Sequence, residues 1–155
     1  MDYEASDAEV KQAQIPHNLF ITGLFLFDLL LTPAVIVLEL GMLSMLIPLL
    51  CSSALIAFIY LRSKKHTSDF VDAHWQLAAK HGRWLMTGYG VSAALVLIAW
   101  LISLATHAPH MGRIIWTALT RIALLPTLIM VMVTAVLEAS AIGSAAKREA
   151  PSKSL

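Results

Sequence analysis

Charged side chains are scarce in this chain of 155 residues, since Asp, Glu, Lys and Arg make up 14% of it and hydrophobic residues 58%. An ordinary soluble domain has about 25% charged residues. A soluble fold of this composition has too few polar side chains to cover its surface, so the sequence excludes a soluble globular protein. The net charge of +1 lacks the basic excess that nucleic-acid binding needs, and we expect no nucleic-acid partner.

Residues for covalent and catalytic chemistry are also few. The single cysteine, Cys51, excludes an internal disulfide. The sequence contains no glycine-rich phosphate loop, no His-Glu-x-x-His motif and no Gly-x-Ser-x-Gly motif. We therefore predict no catalytic residue and expect that the chain is not an enzyme.

Long apolar segments dominate the sequence instead. Four of them have about 20 residues or more, enough to cross a hydrocarbon core of about 30 Å as helices, and they comprise residues 19–40, 42–61, 84–105 and 114–137. The predicted fold class is an all-α integral membrane protein, with four transmembrane helices in an antiparallel bundle that forms a single membrane domain over residues 1–155. Pro33, Pro48 and Pro126 predict kinks in three of these helices.

The lysines and arginines predict the orientation of the bundle. Of the 11 in the chain, Arg113 lies on one side of the four spans and Arg121 within the fourth, whereas nine lie on the other side: Lys11, Arg62, Lys64, Lys65, Lys80, Arg83, Lys147, Arg148 and Lys153. This positive-inside asymmetry predicts that both termini are cytoplasmic, in a bacterial inner (plasma) membrane. Residues 1–16 are expected to form a polar, mobile N-terminal segment, and residues 145–155 a flexible tail.

An amphipathic helix is predicted over residues 69–83, between the second and third spans. Polar residues recur there at steps of three and four, and apolar residues fall elsewhere around the helix. We expect this helix either to lie along the lipid headgroups or to run into the third span, and to cover the cytoplasmic end of the bundle or to dock a partner. The residues of this interfacial helix are Phe70, His74, Leu77, Lys80, His81, Arg83 and Trp84.

Two charged residues fall deep within the spans, and we predict that they form an ion pair. Measured from the inner boundary of the membrane, Asp28 of the first span lies at a depth of about 13 Å and Arg121 of the fourth span at about 20 Å. A guanidinium side chain can close the difference of about 6 Å. Charges within a membrane usually face protein and find partners. This pair either fixes the register of the helices or belongs to a proton or ion relay.

The same axial rise predicts two further polar pairs at the ends of the helices. Glu39 is placed near Arg113 at the outer surface, and His17 near Glu138 at the inner surface. The facing sides of the first and fourth helices also carry a polar stripe, which consists of Thr32, Thr120, Thr127 and Thr134.

The six histidines lie outside the apolar spans, which argues against a haem held within the membrane. His74 and His81 are seven residues apart, about 10 Å along a helix, too far to share one metal ion. We therefore expect solvated or interfacial histidines and predict no metal and no cofactor.

The architecture favours a non-catalytic function. Four short spans with tight outer loops leave little room for a substrate cavity, so we expect an accessory, assembly or scaffold subunit of a larger membrane complex. Its partners are the lipid bilayer and another membrane protein or a second copy of the chain. The first alternative is a small proton-coupled or ion-coupled transporter or channel that uses Asp28, Arg121 and Glu138. The second is a membrane redox or quinone-binding subunit that uses His17, His74 or His81.

Overall fold

The computed structural model of the chain describes residues 5–38, 44, 46–106 and 109–151. Over these residues the regular structure is helical. The helices are α1 (Asp7–Gly23), which continues through a π-helical segment (Leu24–Leu31) into α2 (Thr32–Val37), then α3 (Leu46–Arg62), α4 (Asp69–Ala105), α5 (Pro109–Ala123) and α6 (Leu125–Ala146).

The helices are apolar and long, as the sequence predicts. Three helical stretches are long and apolar enough to cross a membrane, namely Asp7–Val35, Asp69–Ala105 and His110–Ala146. The fourth apolar helix, α3, has 17 residues and is therefore about 26 Å long, slightly less than a hydrocarbon core of about 30 Å. The all-α class is thus confirmed, and the fold is compatible with a helical membrane bundle of three long apolar helices and one shorter one.

The N-terminal segment differs from the expectation, because α1 begins at Asp7 rather than near residue 19. Ser6 and Glu9 form a capping box, in which the Ser6 hydroxyl accepts a hydrogen bond from the Glu9 backbone N–H and the Glu9 carboxylate accepts one from the Ser6 N–H. The Ser6 backbone N–H also holds the pKa of the Glu9 carboxyl below its usual value. This reciprocal cap starts a helix in a segment whose low hydrophobicity suggested a mobile end.

The C-terminal segment is also more ordered than expected. Helix α6 continues to Ala146, and an Arg148 guanidinium nitrogen lies 2.8 Å from an Asp7 carboxylate oxygen. The predicted flexible tail of residues 145–155 therefore includes the end of a helix and an ion pair to the start of α1. Residues 152–155 lie outside the described part of the chain.

The first apolar segment is helical with an internal change of hydrogen-bond pattern. The backbone N–H of Thr32 donates to the carbonyl of Phe27, five residues earlier, and the Thr32 hydroxyl donates to the same oxygen at 2.9 Å. Pro33 follows directly, and a proline within a helix removes one N–H donor and crowds the carbonyl of the preceding turn. The wider π-helical segment lies just before this proline, where such disruptions of the helical ladder are common.

Helix α4 joins the predicted amphipathic helix to the third apolar segment without interruption over 37 residues. Of the two expected arrangements, the structure has the helix that runs into the span. Its first half buries Phe70 and Ala78, whereas Trp84 is exposed. The helix therefore packs the buried part of its apolar face against the rest of the protein.

The last apolar segment is divided at Leu124 into α5 and α6. Pro126 is the second residue of α6, where the missing N–H of proline costs no intrahelical hydrogen bond. The same proline disfavours the α-helical conformation of the residue before it. Near Pro126 the structure thus has a one-residue interruption between two helices.

The chain divides into two compact units, which comprise Met1–Arg83 with Thr134–Leu155 and Trp84–Val133. In the first unit, Gly82 of α4 lies against Ile56 of α3 and Phe20 of α1, so close that there is little space for a side chain. In the second unit, the Thr127 hydroxyl lies 2.8 Å from the Ser92 hydroxyl. Small residues thus allow close approach of helices in each unit.

We predict that Gly82→Ala destabilises the protein. The added Cβ would lie 2.8 Å from Cγ2 of Ile56, and overpacking costs about 1–3 kcal/mol, which outweighs the gain of up to about 1 kcal/mol from replacing a helical glycine. Thermal unfolding of the purified protein in detergent measures the difference. Gly143→Ala is the matched control because nothing lies within 4 Å of its added Cβ, and equal unfolding temperatures for the two variants would contradict the prediction.

Candidate functional site

The only buried acidic side chain with a relative exposure of 0% among the described residues, Glu138, lies between two histidines. Nδ1 of His17 lies 2.5 Å from Oε2 of Glu138, and Nδ1 of His81 lies 2.6 Å from Oε1. Each carboxylate oxygen thus accepts a hydrogen bond from its own imidazole. Hydrogen bonds to an ionised group are short and strong, and they offset the cost of removing a carboxylate from water.

His74 extends this arrangement to four residues. Its Nδ1 lies 3.0 Å from Nε2 of His17, so that one proton is shared between the two rings. Its ring also meets the edge of the Phe70 ring, with centroids 5.0 Å apart. We refer to His17, His74, His81 and Glu138 as the Glu138 cluster. All four side chains are buried, with relative exposures of 0%, 0%, 5% and 0%.

Three helices supply the members of the Glu138 cluster. His17 lies on α1, two residues before the predicted apolar segment 19–40, and Glu138 lies on α6, one residue after segment 114–137. His74 and His81 lie on the first half of α4, two helical turns apart and therefore on one face. The cluster thus lies at the ends of the apolar segments and joins α1, α4 and α6 within the first unit.

Burial makes His74 a neutral residue. Removal from water is the largest cause that lowers the pKa of His74, and the neighbouring His17 acts in the same direction, whereas the backbone of Glu149 and the Glu138 carboxylate act in the opposite direction; together they lower this pKa to about 4. Its Nε2 atom is buried and has no hydrogen-bond partner among the described residues.

His17, His74 and His81 are buried within the protein, so the expectation that they are solvated is wrong. The physical reason is that the buried carboxylate of Glu138 needs hydrogen-bond donors, and imidazole rings supply them. His66 follows the expectation, since its side chain is 79% exposed while its Nδ1 lies 2.6 Å from Asp72. His110 is exposed as well, and His107 lies outside the described residues.

The Glu138 cluster has the residue types of a metal site but a different geometry. The ring nitrogens face the carboxylate oxygens directly at hydrogen-bond distances, rather than converging on a common point about 2 Å from each. Within the described ranges, no group of three or more His, Cys, Asp or Glu side chains is arranged to hold a metal ion. The arrangement is suited to binding and exchanging protons.

The predicted intramembrane residues occupy different surroundings. Asp28 lies in the π-helical segment, half-buried, and one of its carboxylate oxygens accepts a hydrogen bond of 3.1 Å from the Ser52 hydroxyl of α3. Arg121 lies on α5 and is exposed. Because the two residues belong to different units, their ion pair stays a prediction. Of the predicted outer pair, Arg113 is exposed, and Glu39 lies outside the described residues.

Two of the four threonines of the polar stripe form local hydrogen bonds. The hydroxyls of Thr32 and Thr120 donate to backbone carbonyls of the preceding turn, those of Phe27 and Trp116. Thr127 bonds to Ser92 on α4, and Thr134 is fully buried. Such back-bonding satisfies a hydroxyl within an apolar helix without a partner helix.

The remaining residues of the predicted interfacial helix differ in their exposure. Leu77 and Lys80 are half-buried, and Arg83 is exposed. The polar residues of this helix predict its charged face, whereas His74 and His81 are expected from the sequence to be solvated or interfacial. Their spacing was a usable signal, because residues 70, 74, 78 and 81 share one face, and two of them are apolar.

The chain has no significant match to any family model, curated protein or solved structure with which it was compared.

We predict that Glu138→Ala strongly destabilises the protein. The change leaves two buried imidazole N–H groups without an acceptor, and removing one partner of a buried ion pair costs roughly 3–5 kcal/mol. Unfolding of the purified protein by denaturant in detergent measures the loss. Glu149→Ala is the control, because it removes an exposed carboxylate near the same end of α6. Similar stabilities of the two variants would contradict the prediction.

Proposed function

We propose that the chain is an integral membrane protein that acts as a non-catalytic accessory, assembly or scaffold subunit of a larger membrane complex. The observation that carries the proposal is how the polar side chains are used. Glu138, His17 and His81 bond to one another inside the protein. They hold three helices together and are not presented to a substrate.

The outward side chains of the helices support the same role. Exposed apolar side chains follow the first helical stretch, with relative exposures of 61% for Phe25, 53% for Leu30 and 78% for Val37. In a bilayer such a surface contacts lipid tails or the apolar helices of another membrane protein. A chain that keeps its polar groups inside and offers apolar helix faces is suited to packing against a partner.

The proposal includes a topology of four spans with both termini in the cytoplasm of a bacterium, in its inner membrane. It is supported by the nine lysines and arginines on the predicted cytoplasmic side. In this topology α3 is the second span and the Glu138 cluster lies at the cytoplasmic ends of the helices. The ion pair between Asp28 and Arg121 would fix the register of the first and last spans.

Photocrosslinking in living cells tests the accessory role. We expect p-benzoylphenylalanine in place of Phe25, which is 61% exposed, to form a crosslink to one larger membrane protein that also co-purifies with the tagged chain in mild detergent. The matched control is the same replacement of Phe20, which is 2% exposed and faces the interior. Crosslinks of the Phe25 variant to lipid or to a second copy alone, with purification of the chain by itself, would contradict the accessory role.

A second candidate function is proton-coupled or ion-coupled transport. The observation that favours it is a buried carboxylate hydrogen-bonded to two imidazoles, since ionisable chains of this kind mark proton pathways in membrane proteins. Asp28, Arg121 and Glu138 would carry the transport. It differs from the accessory role in needing no partner protein.

Proton flux into liposomes tests this candidate. If the purified chain transports protons, then Asp28→Asn and Glu138→Gln are expected to lower dye-reported acidification at least about tenfold, because each removes an ionisable group. Glu149→Gln is the matched control, since it makes the same change at an exposed position. A flux no larger than that of protein-free liposomes would reject transport by the chain alone.

A further inference from the structure

The end of α3 carries three cationic residues close together, namely Arg62, Lys64 and Lys65. Among the described residues none of the three forms an ion pair. The basic residues that do so there are His17, His66, His81 and Arg148. This end of α3 therefore presents positive charge that the described part of the chain does not neutralise by direct contact.

The nearest carboxylates along the chain have other roles. Asp69 and Asp72 lie in the first turn of α4, where the positive end of the helix dipole favours negative charge. Asp72 also accepts hydrogen bonds of 3.1 and 3.2 Å from the Thr67 backbone N–H and lies 2.6 Å from Nδ1 of His66. The cations at the end of α3 are thus complementary to an anion from outside the chain.

Two of the three cations lie on one side of the chain. Helix α3 ends at Arg62, and the backbone N–H of Lys65 donates to the Arg62 carbonyl at 3.0 Å. A hydrogen bond between residues three apart is that of a 3₁₀ turn, in which the side chains of these residues are aligned. Lys64 has a different neighbour, since its Nζ lies 4.5 Å from the centroid of the Tyr60 ring.

The guanidinium of Arg62 is held in place by two contacts. Its Cζ lies 5.1 Å from the centroid of the Trp75 ring, and its Nη2 donates to the Thr67 hydroxyl at 3.1 Å. Trp75 is buried and follows His74 of the Glu138 cluster on α4. In the proposed topology this cluster lies at the cytoplasmic ends of the helices, so Arg62 lies at the level of the lipid headgroups. A guanidinium that is already ordered loses little conformational entropy on binding an anion.

Exposed apolar side chains precede these cations on the same face of α3. Phe58 is 53% exposed and Leu61 is 63% exposed. Residues 58, 61, 62 and 65 follow one another at steps of three and four, so they share one face. This face is apolar toward the membrane and positive at its end. Apolar side chains contact acyl chains, and arginine and lysine bind phosphate oxygens.

We propose that Arg62 and Lys65 bind the headgroup of an anionic phospholipid in the cytoplasmic leaflet, with its acyl chains along Phe58 and Leu61. The lipid class is one whose headgroup has no amine to cancel the charge of the phosphodiester. The proposal rests on the membrane placement proposed above. It does not depend on whether the chain acts as an accessory subunit or as a transporter.

Native mass spectrometry of the full chain in detergent tests the site, with phosphatidylglycerol and phosphatidylcholine of identical acyl chains as the added lipids. We expect phosphatidylglycerol to bind at least about fivefold more tightly. Lys65→Gln is expected to lower its affinity about fivefold, the contribution of one cation at a lipid surface. The matched control is Lys147→Gln, which removes an exposed cation after α6 and leaves the affinity unchanged. Equal binding of the two lipids, or equal losses in the two variants, would overturn the proposal.

Arg62→Gln is expected to weaken phosphatidylglycerol binding by a similar factor. Lys65→Gln decides the question if this variant does not fold, because the Lys65 side chain is exposed. Soluble glycerophosphoglycerol and polyglutamate test the other sources of negative charge. If either one displaces the lipid at equal concentration, the occupant is not a lipid and the proposal is overturned.

Washing of phosphatidylcholine vesicles at alkaline pH tests the membrane placement separately. A chain that stays in the vesicles and shows no preference for phosphatidylglycerol contradicts the lipid site alone. A chain that is released from the vesicles contradicts the membrane placement and the lipid site together.

Discussion

The burial of the Glu138 carboxylate is the constraint on which the first unit depends. A carboxylate without water needs a donor for each oxygen, and here the two donors come from different helices. Because each imidazole must present Nδ1 to a given oxygen, the rotation of α1 and α4 about their own axes is fixed relative to α6. Apolar contacts alone tolerate small rotations, since leucine and valine side chains have no directional partners.

The N-terminal and C-terminal segments contact each other in the same unit. The capping box at Ser6 starts α1 about three turns before the apolar segment, and the ion pair between Asp7 and Arg148 joins the start of α1 to the chain after α6. Exposed ion pairs contribute little to stability. This ion pair joins the two chain ends, and the backbone of Glu149, the residue after Arg148, hydrogen-bonds to His74 of the cluster.

The sequence predicts some levels of this structure well and others poorly. Helical class and apolar segments follow from composition and length, which are sums over many residues. The meeting of His17 with Glu138 follows from axial rise, because both residues lie at the ends of apolar segments. The roles of His74 and His81 did not follow, since a histidine is compatible with both a solvated and a buried face. The start of α1 at Asp7 depends on two side-chain hydrogen bonds that hydropathy does not detect.

The π-helical segment Leu24–Leu31 changes the rotational phase of the first apolar helix. An α-helix advances by about 100° per residue, whereas a π-helix has more residues in each turn and advances by less. This difference accumulates from Leu24 to Asp28, the fifth residue of the segment, so a line of side chains drawn from His17 at constant α-helical pitch no longer coincides with the face that carries Asp28. The π-helical segment therefore rotates Asp28 about the helix axis relative to His17. It lets His17 face α4 and α6 while Asp28 turns toward Ser52 of α3.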